Sequence, residues 1–177
     1  MIISQKDKMH LHNVLKNLIG QAVCLLRKQN YFGFAEPDFI HLRFDNDTSL
    51  YISNFMRITH NGAMILSSCD ETFTTDYQEI KSEYTGEEIN EKSNLLAKHI
   101  DETLQVLKGK HVKNATLNAF GDLTIVFDNN IKLCAYVDVK MQGEYLRIKN
   151  KDNEFVFFFD GNDFRCEKGE AYDSRTE

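Results

Sequence analysis

The chain has 177 residues, 42% of them hydrophobic and 27% charged, with one proline, nine glycines and a formal net charge of −6. That is the composition of an ordered globular protein, and it excludes disordered, collagen-like and low-complexity classes. No basic stripe is present to neutralise phosphates, which argues against direct nucleic-acid binding.

The first residues, Met1 to Lys8, turn polar at once, and no later stretch approaches the roughly 20 apolar residues of a membrane span. A cytoplasmic protein without membrane contact is the expectation. Leu11, Val14, Leu15 and Leu18 then recur at helical spacing, and Gly20 falls where a helix C-cap needs a residue that accepts positive φ. A helix ending at Gly20 is predicted, followed by strands at 21–27, 39–44, 49–57 and 63–69.

The stretch Tyr31-Phe32-Gly33-Phe34-Ala35-Glu36-Pro37-Asp38 interrupts these strands, carries the only proline and brings three aromatics to a loop. Tyr31, Phe32 and Phe34 are therefore candidate partner-binding residues. Residues 70–91 hold eight acidic side chains against one lysine, a net −7 that leaves +1 for the rest. Part of this suits a solvated connector and the start of a helix; the sharper reading is an anionic patch that steers a basic partner, with Asp70, Glu71, Asp76, Glu79, Glu83 and Glu87 as candidate contacts.

Thr85-Gly86-Glu87-Glu88 fits a capping box, and Ile89, Leu96, Ile100, Leu104 and Leu107 mark one face of a second helix ending at Gly109. Strands are predicted beyond it at 112–118, 123–127, 132–140 and 145–149, then at 154–159 and 164–167 with Asp160 to Asp163 as a turn. In the first of that last pair Phe155, Phe157 and Phe159 share a face. The tail from 168 to 177 is expected to fray.

These elements come twice. Laying 14–50 against 103–133 pairs Leu15 with Leu104, Leu18 with Leu107, Gly20 with Gly109 and Val23 with Val112; further on, Phe44-Asp45-Asn46 meets Phe127-Asp128-Asn129, and Leu50 meets Leu133. The expected fold is α+β: two diverged helix-plus-antiparallel-strand repeats, 1–84 and 85–167, packed as one unit, with Phe-Asp-Asn as a hairpin turn in each.

Motifs of catalysis are missing. His10 and His12, two apart, cannot chelate one metal from a regular helix, and His41, His60, His99 and His111 have no ligand spacing. Ser67-Ser68-Cys69-Asp70 lacks a glycine-flanked elbow, and no glycine-rich phosphate loop occurs. Cys24, Cys69, Cys134 and Cys166 are widely spaced, as reduced cysteines acting as small hydrophobes would be. No catalytic residue, metal ligand or cofactor is assigned.

The Leu-x-Gly-x-x-Val helix exits at 18–23 and 107–112, each followed by strands joined at Phe-Asp-Asn, resemble those of small bacterial domains over about two-thirds of the chain. In general character the chain resembles immunity proteins of contact-dependent growth inhibition systems. The resemblance implies a non-enzymatic protein that neutralises a cognate toxin domain in a one-to-one complex by masking its active surface; a basic nuclease would suit the acidic segment. The chain itself would be a monomer or weak homodimer. The alternative is a ligand-binding protein or enzyme with its site between the repeats, marked by His41, His60 or His111 beside carboxylates. A homo-oligomeric structural protein is a third class, marked by a self-complementary apolar patch.

Overall fold

The computed structural model describes residues 5–29, 39–53, 55–68, 95–118, 120–137, 143–151, 153–159 and 164–170. Among them are two helices and two antiparallel sheets. Helix α1 (Gln5–Leu18) buries Val14, Leu15 and Leu18 while Asn13, Lys16 and Asn17 face water. Helix α2 (Leu95–Leu107) does the same with Ile100, Thr103 and Leu107. Each helix stops two residues before a left-handed glycine, Gly20 at φ +85° and Gly109 at φ +75°. A Cβ at either glycine would meet nothing within 4 Å, so positive φ alone is the requirement there.

Strands β1 (Val23–Gln29), β2 (Phe39–Phe44) and β3 (Ser49–Ile52) form half of a six-stranded sheet. The other half is β9 (Gly143–Lys149), β10 (Asn153–Phe159) and β11 (Phe164–Glu170), in the order β1-β2-β3-β9-β10-β11. The five-stranded sheet runs β5 (Ala63–Ser67), β4 (Met56–His60), β8 (Ile131–Ala135), β7 (Leu123–Phe127), β6 (Val112–Leu117). Each sheet therefore combines three strands from one part of the chain with strands from the other. The predicted strand 49–57 is two strands for this reason: β3 ends at Ile52 in one sheet and β4 begins at Met56 in the other.

Alternation places Leu42, Phe44, Leu50, Ile52, Leu146 and Ile148 of one sheet and Ile58, Leu123, Ile125, Phe127, Ile131 and Leu133 of the other in one continuous core. α2 packs against β1 and β5, and α1 against β6. Phe155 and Phe157 are buried, while Val156 and Phe158 on the opposite face are half-buried. The tail begins later than expected, because 168–170 continue β11 opposite Asn153 to Phe155. The capping box at 85–88, the boundary at 84/85, the turn at 160–163 and the end of the predicted strand at 138–140 lie outside the described residues.

Matched hydrogen bonds join the two sheets where β1 and β6 begin. The Gly20 N–H donates to the Val112 carbonyl (2.8 Å) and the Gly109 N–H to the Val23 carbonyl (2.9 Å); the Val23 N–H reaches Lys110 and the Val112 N–H reaches Gln21. Between them Ala22 and His111 form an antiparallel bridge. Asp45 accepts the Ala22 N–H on its carboxylate and returns its own N–H to the Ala22 carbonyl, and Asp128 does the same with His111. Phe-Asp-Asn does form the expected turn, with Asn46 accepting the Thr48 N–H and Asn129 left-handed at φ +58°. Its aspartate also caps the start of the neighbouring strand, a role the sequence motif does not display.

Candidate functional site

The sequence-predicted contact residues Tyr31, Phe32, Phe34, Asp70, Glu71, Asp76, Glu79, Glu83 and Glu87 all lie outside the described residues. What is described is where the acidic stretch is tethered. Ser68, at the end of β5, and Leu95, at the start of α2, are the described residues that flank it. β5 and α2 pack on one another, with the Thr103 hydroxyl donating to the Ile65 carbonyl at 3.1 Å. Between them lies a cleft of about 340 Å³, lined by Met64, Ile65 and Leu66 of β5 and by His99, Glu102, Thr103 and Val106 of α2.

The histidines do not converge. His41 lies on the outer face of the six-stranded sheet, opposite Arg27 on β1 and Tyr51 on β3. Its Nδ1 accepts from Arg27 Nε (3.2 Å), so the proton sits on Nε2, which lies 3.1 Å from Ser49 Oγ. Tyr51 stacks on the ring at 4.4 Å. Burial first, then Arg27 and Arg43, lowers its pKa to about 4. His41 is thus a neutral, fully bonded side chain, and neither nitrogen is left for a substrate. The alternation Ile40-His41-Leu42 puts it on the outer face, but only strand register reveals the neighbours that bury it.

His60 lies on β4 of the other sheet, 3.3 Å from the Asn61 amide. His111 stands beside a carboxylate, with Nδ1 3.2 Å from Asp128 Oδ2. Lys113 adds an ion pair to Asp128 at 2.9 Å. The lysine bond first, then the His111 N–H, lowers the Asp128 pKa to about 2. The cluster stands at the junction of the sheets and holds His111 in place.

Two glutamates neutralise Arg147, with Glu144 bidentate at 2.8 and 2.6 Å and Glu154 at 3.0 Å. Ser68, in the stretch that lacks a nucleophile elbow, accepts the Met56 N–H on its hydroxyl. Cys24 and Cys134 are free and half-buried. Among the described residues no three His, Cys, Asp or Glu side chains group to hold a metal, and no helix is long and apolar enough to cross a membrane.

No protein-family model matches the chain, and no curated protein or solved structure matches it at a significant level.

Proposed function

We propose that this chain is a non-enzymatic binding protein of the immunity type, which neutralises a cognate bacterial toxin domain in the cytoplasm by masking its active surface. The observation that carries the reading is the concentration of charge in one connector: −7 in residues 70–91, tethered at β5 on one side and α2 on the other, against +1 elsewhere. Such a field accelerates encounter with a basic partner and competes with the anions that partner binds. Three titratable side chains of the described part fit this reading, because His41, Asp128 and Arg147 are each spent on bonds to their neighbours. The partner contacts we assign are Asp70, Glu71, Asp76, Glu79, Glu83, Glu87, Tyr31, Phe32 and Phe34.

We also read the fold as two diverged copies of one helix-and-strands unit. The paired bonds of Gly20 and Gly109, Val23 and Val112, and Asp45 and Asp128 support that descent. Charge reversal of Glu79, Glu83 and Glu87 together should slow association with the toxin at low salt while leaving the melting temperature within the range of a surface change. Association at an unchanged rate would remove the electrostatic role.

A second reading has one observation in its favour. The cleft between β5 and α2 is lined from both parts of the chain and falls within the size range of small-ligand sites. A fragment library that shifts the NMR signals of Met64, Thr103 and Val106 together would support it.

A further inference from the structure

Alternation defines the outer face of the five-stranded sheet. Phe55, Arg57 and Thr59 alternate with the buried Met56 and Ile58, and Lys132, Cys134 and Tyr136 alternate with the buried Leu133 and Ala135. Arg57 stands across from Cys134 and Thr59 from Lys132. The Tyr136 N–H donates to the Phe55 carbonyl at 2.9 Å, which carries the ladder one step past both strands. The Phe55 and Tyr136 rings are 5.7 Å apart and inclined by 24°, and the Arg57 guanidinium lies 5.2 Å from the Tyr136 centroid. At this end of the sheet the β6–β7 connection presents Phe120, 73% exposed. That turn is tied down: Asn118 Oδ1 accepts the N–H groups of Phe120 and Asp122, and Asp122 accepts the N–H of Val137, next to Tyr136.

The buried side chains of both helices enter the shared core, on the other side of this sheet, and Phe55 is left 40% exposed. Arg57 and Lys132 are exposed as well, diagonal to one another across β4 and β8, and among the described residues no carboxylate pairs with either. Asp122, the carboxylate of the β6–β7 turn, has its oxygens taken by the Val137 N–H and the Asn118 amide. The described charge that this face offers a partner is therefore positive. A guanidinium already braced by a ring gives up little further freedom when it takes a carboxylate at two points, and exposed rings on a bonded frame likewise lose little entropy when covered. Both are the character of interface anchors.

We infer that this outer face is a protein-docking surface, with Phe55, Tyr136 and Phe120 as its apolar anchor and Arg57 as its charged one, and that its occupant is a protein segment combining carboxylates with apolar side chains. The surface goes beyond the toxin reading: it draws only on described residues, and it takes a partner of the opposite charge. A protein fits it better than a single-stranded nucleic acid. The same rows continue on β7 and β6 as Thr124, Val126, Thr116 and Asn114, so no run of cations follows a phosphate backbone, and the Phe55 and Tyr136 rings lie against each other rather than standing apart as platforms for successive bases.

A phage-displayed library of random dodecamer peptides, panned on the intact chain, tests this without a cognate partner. The enriched sequences should combine Asp or Glu with apolar residues. A synthetic copy of the most enriched should bind at least about tenfold more weakly to Arg57→Gln and Phe120→Ser chains, and more weakly at higher salt. Arg57→Lys, which keeps the charge and loses the fork, should fall between Arg57→Gln and the parent. Both positions are exposed, and an unchanged melting curve shows that the loss is local. No enrichment, Lys- and Arg-rich peptides, peptides indifferent to Arg57 and Phe120, or displacement of the peptide by a single-stranded oligothymidylate would overturn the proposal. Peptide binding that is lost in Phe120→Ser while no toxin is recovered would remove the toxin reading and leave this surface standing.

Discussion

His41 is the residue whose behaviour depends most on its surroundings. Its folded pKa of about 4 lies below the ordinary 6.5, so the unfolded chain binds the extra proton between those values. Stability from this group is therefore fully present above pH 6.5 and is lost as the pH falls towards 4, to a total of about 3 kcal/mol. Urea unfolding of the parent and of His41→Gln should diverge across that window, with the parent gaining more as pH rises; parallel profiles would contradict the geometry. Asp128 acts with the same sign at lower pH: its contribution is present above the ordinary carboxylate value and fades as pH falls through about 2. Asp45→Ala and Asp128→Ala should each lower the melting temperature by stranding the N–H of Ala22 or His111, and Asp128→Asn, which keeps an acceptor oxygen, should lose less.

At the scale of elements, the two glycine exits are the sharpest sequence signal and the sharpest test. Gly20→Ala and Gly109→Ala should each cost about 1–2 kcal/mol, because the left-handed backbone strains any Cβ although the space for it is open. Thermal melts of each variant measure this. Helix ends and the strands at 39–44 and 123–127 are legible because local chemistry fixes them: a C-cap glycine, alternation of Ile40, Leu42 and Phe44, and a turn that needs Asp and Asn. The break between β3 and β4 was not legible, since residues 49–57 read as one β-rich run and only pairing with β9 and β8 divides them. The candidate site was legible only in part. The acidic run shows in composition, whereas the cleft between β5 and α2 gathers residues from distant parts of the chain, and periodicity carries no signal for it.

For the whole molecule, the crossing of strands between sheets predicts how it unfolds. β4 and β5 complete the sheet of β6 to β8, and β9 to β11 complete that of β1 to β3, so neither part of the chain holds a complete sheet. Phe44→Ala and Phe127→Ala, each at a buried position in a different sheet, should each cost about 3–5 kcal/mol. Far-UV and tyrosine near-UV circular dichroism should move together in one transition for both variants. Two separated transitions would mean that the sheets fold independently.

The functional account turns on a partner. Pull-down from the source organism, with the purified chain as bait and mass spectrometry of what stays bound, repeated with the product of the adjacent upstream reading frame, tests it most directly. The account predicts one basic, toxin-like domain held at one-to-one stoichiometry and released by salt; recovery of the bait alone would contradict it.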